Sequence, residues 1–301
     1  MRWMMLAGVA LVAGGTGGTG GTGGTGGTGE CRVVEGVRQL PADVRESSGL
    51  ARGGRSAGLF WTHNDAGNAP VLYAVDTAGR LAGRVTVGGA RLVDWEDIAS
   101  GPCASGHCLY VGDIGDNSGK RQSVTVYVVP EPAAKAATAS ATALHFRYPD
   151  GPRDAEALFV LPSGDIYIVS KGRESAIALY RASKANQKPG GTATLERVRD
   201  LAPQPKNARD RVTAATASPD GRWVAIRTYR ELHLYPADAL TRSGKLSPVT
   251  SDLTRLGEKQ GEAVALANDG TVWLSSEGSR KERAQLSRMA CSLGGAPARA
   301  G

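Results

Sequence analysis

"TAATASPDGRWVAIR", residues 213 to 227, reads as one β-hairpin. Two short strand-like runs, 213–217 and 223–227, flank Ser218, Pro219, Asp220 and Gly221, residue types that favour a tight turn. The same plan recurs along the chain. Second strands are FWTHND ending at Asp65, CLYVGD at Asp113, IYIVSK at Lys171, RWVAIR at Arg227 and TVWLSSE at Glu277. A bulky residue stands four places before each terminal polar one: Trp61, Leu109, Tyr167, Trp223 and Trp273. Upstream partner strands are ESSGLA from Glu46, EDIA from Glu96, EALFVL from Glu156, TAATA from Thr213 and EAVALA from Glu262. Facing residues of an antiparallel hairpin have a constant index sum, so the start of each first strand lies beside the end of each second strand.

A third run follows each hairpin, with Tyr73, Tyr127, Tyr180 and Tyr235 in four of the repeats, and a fourth follows in most. Intervals of 50, 60, 57 and 49 residues separate Glu46, Glu96, Glu156, Thr213 and Glu262. Repeats of this length, each with four antiparallel strands, predict an all-β fold: a five-bladed β-propeller. The last repeat runs out after AQLSRMAC, three strands in. CRVVEGVRQL from the N-terminal side supplies its outer strand, so strands from both ends of the chain close the ring. That closure sets Cys31 beside Cys291 for one disulfide, and Cys103 with Cys108 staples a hairpin tip.

"TASPDGRWVAI" resembles the hairpin of TolB-type and WD40-like propellers. The series ESSGLA, DWEDIA, DAEALF and GEAVAL is similar to that of secreted bacterial propeller proteins loosely grouped with esterase-like phytase homologues. The resemblance covers the chain from Glu46 onward and implies the fold; it carries no catalytic residue across.

MRWMMLAGVALVAGG at the start has one cation, Arg2, and an apolar run about half the ~20 residues of a spanning helix. It reads as a signal peptide over 1–15, followed by a flexible Gly/Thr tether over 16–30 and a single domain over 31–301. The expected location is therefore secreted, periplasmic or cell-envelope, with no transmembrane segment, and an even number of cysteines suits export. Lipid anchoring at Cys31 is a further option, although Glu30 directly before it fits a lipobox poorly.

In a propeller the first strands line the axis, so Glu46, Glu96, Glu156 and Glu262 are expected to converge there, ringed by Asp65, Asp113, Lys171, Arg227 and Glu277. Two carboxylates about 6 Å apart at an effective dielectric near 20 repel by roughly 3 kcal/mol. Lys171 and Arg227 offset part of this; a bound cation or raised carboxyl pKa values must offset the rest. The hard oxygens of Glu46, Glu96, Glu156, Glu262 and Asp113 suit calcium, or magnesium, better than zinc. Glu96, Asp113, Lys171 and Arg227 are the catalytic candidates; Glu46, Asn64, Asp65, Glu156, Glu262 and Glu277 are the ligand-binding ones. A structural reading stands beside this, in which the axial glutamates bond backbone amides of neighbouring blades.

Other patterns carry less. Gly54-Arg55-Ser56-Ala57-Gly58 matches GxSxG but falls on a hairpin tip, where a nucleophile elbow needs a strand-to-helix turn. The run from Asp113 to Asn117 departs from an EF-hand loop at Gly115 and lacks the bidentate Glu, since Val124 stands there. His63, beside Asn64 and Asp65, reads as a core or hydrogen-bonding histidine before a general base. The net charge is +7, yet the expected functional face is acidic and aromatics are 5% of residues, which argues against nucleic acid. The expected partner is a small molecule or glycan at the channel mouth of a monomer. Opposite charges and several acids in one pocket put first a divalent-metal-dependent hydrolase of an anionic ester or sugar-like substrate; the alternatives are a binding propeller without turnover and an interaction module.

Overall fold

The computed structural model describes residues 31–279 and 281–293. The leader and tether expected over 1–30 lie outside them. Five blades of four antiparallel strands surround one axis, two of them widened by a short parallel strand, making a five-bladed β-propeller. Inner strands are Ser47–Arg52, Trp95–Cys103, Ala155–Val160, Val212–Ala217 and Gly261–Leu266. Their hairpin partners are Leu59–Asn64, Gly106–Asp113, Ile166–Ser170, Trp223–Thr228 and Thr271–Ser276. The turn glycine of the hairpin quoted above, Gly221, has φ 67°, a conformation open to Gly without strain.

Closure follows the expected route. Cys31–Gln39 pairs antiparallel with Gln285–Cys291 as the outer strand of blade 5, and Cys31 is bonded to Cys291. Cys103 is bonded to Cys108 across the tip of the blade 2 hairpin.

Inner strands are buried over most of their length, and wholly so in AEALFV of 155–160, because neighbouring blades cover both faces. Outer strands alternate, as in Leu81–Gly88, because one face meets water. The apolar core is therefore split into five seams, one between each pair of blades. Trp61 and Leu72 meet Ile98 and Val111 at the first, and Tyr110 and Val126 meet Leu158 and Ile168 at the second. Phe159 and Val169 meet Ala215 and Ile226 at the third. Leu232 and Leu234 meet Val264 and Leu274 at the fourth, and Leu50 and Phe60 meet Ala263 and Ala265 at the fifth. Full burial of each large aliphatic side chain contributes about 1.5–3 kcal/mol.

Two seams carry a strap. Thr138–Ser140 leaves blade 2 to pair in parallel with Leu81–Gly88 of blade 1, and Thr192–Thr194 leaves blade 3 to pair in parallel with Thr142–Arg147 of blade 2. Each strap ends on a backbone bond, Ala141 N–H to Gly88 O at 2.9 Å and Leu195 N–H to Arg147 O at 2.9 Å. Pro248 occupies the matching place at the third seam, directly before the fourth strand Val249–Asp252, and proline has no N–H to give. No strap pairs there among the described residues. A groove of ≈ 640 Å³ lies at that seam instead, with Ile177, Leu201, Ile226, Tyr235 and Leu246 in its walls.

Candidate axial cation site

Every inner strand slips register at its second residue, between Ser47 and Gly49, Trp95 and Asp97, Ala155 and Ala157, Val212 and Ala214, and Gly261 and Ala263. These are five equivalent β-bulges. A bulge leaves one residue unpaired and re-aims its side chain. The five residues so placed are Ser48, Glu96, Glu156, Thr213 and Glu262. Glu96, Glu156 and Glu262, each 4% exposed, line a cavity of ≈ 190 Å³ at one end of the axis, joined by Ser48, Asp65, Asn117, Lys171, Tyr229, Gln260 and Glu277.

The register corrects four of the expected site residues. Glu46 lies two places before Ser48, outside the inner strand, and its carboxylate accepts a 2.7 Å bond from Asn68 at the rim. Asp113 pairs with Trp95, one place short of the cavity, where Ile114 holds the equivalent position. Buried Asp113 accepts from the backbone N–H of Val93 and Asp94 at 3.2 Å each and pairs with Arg121 at 2.7 Å. Asn64 does the same work in blade 1, accepting from Arg45 and Glu46 N–H at 2.9 and 3.1 Å. Asn64 and Asp113 thus brace loops, and neither lines the cavity.

Arg227 lies two places short; Tyr229 takes its expected place. Wholly buried, Arg227 reaches into blade 5, to Glu258 at 2.8 Å and the carbonyls of Ala263 and Ser275 at 2.9 and 3.3 Å. Leu109 and Trp223 had set the alignment, but Tyr110 and Ala225 are the true counterparts of Trp61, Tyr167 and Trp273.

Asp65, Lys171, Glu277, Glu96, Glu156 and Glu262 do meet in the cavity as expected. Carboxylate oxygens of Asp65, Asp94 and Glu96 come within 4.8 Å of one another. Gly115 makes this approach feasible: a Cβ there would collide with Glu96 Oε1 and Asp94 Oδ2. Asp94 had not been assigned to the site. Lys171 pairs with Glu156 on another side of the cavity. Among the described residues neither Glu96, Glu156 nor Glu262 accepts a backbone N–H, so the backbone bonds that the structural reading expects of these side chains are not formed.

Crowding shows in the titration of these groups. Burial, then Glu156, Asp65 and Asp94, hold Glu96 well above the usual carboxylate range. Burial outweighs the opposing Lys171 charge and pushes Glu156 up to about 8. Glu262 rises to about 7 through burial and Glu277, and Glu277 rises to about 7 through burial, Asp65 and Glu46. Asp94 rises to about 6, mainly through burial and Asp65. Burial alone would lower Lys171, yet Glu156 and Glu96 keep it above its ordinary value.

Beneath the cavity lies a residue the sequence reading missed. Asp97, fully buried, accepts from the backbone N–H of Ile98 and Leu158 at 2.8 Å and of Ala215 at 3.1 Å, tying blades 2, 3 and 4 at the axis. Gly49 of blade 1 abuts it so closely that a Cβ there would lie 2.6 Å from Ile98 N. The signal was present: the aligned third positions are Gly49, Asp97, Ala157, Ala214 and Ala263, one acid among small residues.

His63 is a core histidine, with Nδ1 3.1 Å from Asn64 O, its ring edge-on to Trp95 and its pKa lowered by burial to about 4. Asp116 accepts from Ser118, Lys120 N and Arg121 N, which spends its carboxylate on its own loop. The Gly54–Gly58 tip joins two strands of blade 1, and its Gly54 and Arg55 N–H groups bond Glu131.

No protein-family model matches the sequence, and no curated protein matches it. Among solved structures the chain is similar to the PQQ-bound form of an aldose sugar dehydrogenase from Streptomyces coelicolor, with 12% identity and a TM-score of 0.53, over 87% of this chain and 98% of that one. It is also similar to a streptogramin B lyase, with 10% identity and a TM-score of 0.42, over 88% and 74% of the two chains. The first likeness supports the propeller fold and nothing beyond it. Neither extends the resemblance to phytase homologues.

Proposed function

We propose that this protein is an exported binding propeller whose axial cavity holds a divalent cation of the calcium class on Asp65, Asp94 and Glu96 and presents it to a small ligand at the cavity mouth. The observation that carries this reading is the approach of those three carboxylates to within 4.8 Å. Like charges so close are stable together only when protonated or bridged by a cation, and hard oxygen donors suit calcium. Export is supported by the two disulfides, Cys31–Cys291 and Cys103–Cys108. No helix among the described residues is long and apolar enough to cross a membrane.

A hydrolase of anionic esters is the second reading, favoured by the Glu156–Lys171 pair beside the cation site. In it Glu156, whose pKa of about 8 suits proton transfer near neutrality, moves the proton, and Lys171 holds negative charge. Arg227 has no part in it, being committed to Glu258.

Calorimetric titration of the chelator-treated protein with calcium tests the first reading, with one ion bound and Glu96→Gln weakening it by roughly tenfold or more. Absence of calcium and magnesium binding at pH 8 overturns it. Turnover of a phosphate monoester that vanishes in Lys171→Met, while calcium binding persists, selects the hydrolase.

A further inference from the structure

The cavity has a second acidic wall, which adjoins the Asp65–Asp94–Glu96 cluster where Glu277 and Asp65 repel. Glu262 and Glu277 stand on blade 5, with Tyr229 beside them on blade 4. Glu262 Oε2 is buried without a hydrogen bond, and the carboxyl otherwise meets only neutral donors, Gln260 Nε2 at 3.4 Å from Oε1 and the Tyr229 hydroxyl. A buried carboxylate oxygen without a donor is disfavoured by its full desolvation penalty, so its presence points to a donor supplied from outside. The protein's own cations do not supply it. Lys171 is paired with Glu156, and Arg227 turns away to Glu258 and to backbone carbonyls. Among the described residues neither Glu262 nor Glu277 forms an ion pair.

We infer that Glu262, Glu277 and Tyr229 form a subsite for a primary ammonium group, so that the ligand of this cavity is an amine. This rests on the reading of the cavity as a ligand site. The wall offers two carboxylates and a phenol oxygen, and a primary ammonium has three N–H donors to direct at them. A hard divalent ion wants six or more oxygens and finds three carboxylates together on the other wall instead. A quaternary ammonium wants an aromatic cage, and Tyr229 is the one aromatic ring lining this cavity. The size of the cavity, ≈ 190 Å³, suits the charged head of a ligand whose remainder lies at the mouth.

The test is titration of the full exported chain, with calcium saturating and again with calcium chelated, using ethylammonium, tetramethylammonium and an acetylated Gly-Lys-Gly peptide amide. Saturable binding of ethylammonium but not of tetramethylammonium is expected, weakened by roughly tenfold in Glu262→Gln and in Glu277→Gln. The second variant and Tyr229→Phe serve if the first fails to fold. Tighter binding of the peptide than of ethylammonium identifies the amine as a lysine side chain; the reverse identifies a small free amine. Equal effects of the two ammonium ions, or wild-type affinity in Glu262→Gln and Glu277→Gln, overturn the subsite. So does competition between calcium and ethylammonium that Glu262→Gln relieves. Ethylammonium binding without any calcium binding leaves the subsite standing and removes the cation reading.

Discussion

At Gly115 one methyl group decides whether the carboxylates of Asp94 and Glu96 can approach each other. Gly115→Ala is expected to force both side chains aside and lower calcium affinity by roughly tenfold or more, while the circular dichroism spectrum stays that of the parent. Retained calcium affinity in that variant would mean the ion sits elsewhere. Asp113→Ala tests the opposite assignment. It leaves the N–H groups of Val93 and Asp94 and the Arg121 guanidinium without their acceptor, so urea denaturation should show a loss of about 2–4 kcal/mol. The cavity residues legible in the sequence were Asp65, Lys171 and Glu277 at the ends of second strands, with Glu96, Glu156 and Glu262 at the starts of first strands. Asp113 and Arg227 were misplaced because Leu109 and Trp223 offered bulk at the wrong step, and bulk does not reveal which face a side chain takes. Glu46 was misplaced because Ser48, the true counterpart of Glu96, carries no charge to mark it.

Strands and their order were readable because alternation, turn residues and repeat length all agree on them. The bulge at the second residue of each inner strand was not, since a bulge is a change in pairing and leaves no residue type of its own. The straps were equally hidden: Thr138–Ser140 and Thr192–Thr194 look like the beginnings of ordinary fourth strands. The N–H group that ends each strap gives a direct test. Ala141→Pro removes the bond to Gly88 O and should accelerate hydrogen exchange of the Thr86 amide, which bonds Ala137 O across the same strap, by at least about tenfold. Amides of the Thr192–Thr194 strap should exchange as before. Unchanged protection at Thr86 would show that the strap holds by side-chain packing alone.

Across the whole molecule the axial carboxyls set the response to pH. Glu156, Glu262, Glu277 and Asp94 have folded pKa values of about 8, 7, 7 and 6, all above those of unfolded carboxyls. The folded state therefore binds more protons than the unfolded state between about pH 4.5 and pH 8, and stability falls as pH rises through that window. Chelated protein should melt at a lower temperature at pH 8 than at pH 5.5, and saturating calcium should flatten the difference by favouring the deprotonated site. A melting temperature that rises with pH in the chelated protein would contradict the clustering. The closure of the ring was legible from the cysteines and from the strand deficit of the last repeat. Removing it with Cys31→Ser and Cys291→Ser should lower stability by up to about 5 kcal/mol in the chain-entropy account.

The bond between Cys31 and Cys291 also decides how the molecule carries load. Tension applied to the chain before Cys31 and after Cys291 passes from one sulfur to the other, and the 260-residue span between them is bypassed. Every blade lies inside that loop, as on a closed ring hung from its clasp. Stretched between those two attachment points in an optical trap, the oxidised protein should give no unfolding event, however the blades differ in strength. Addition of a reductant should turn the same molecule into one that lengthens blade by blade, beginning where Cys31–Gln39 leaves Gln285–Cys291.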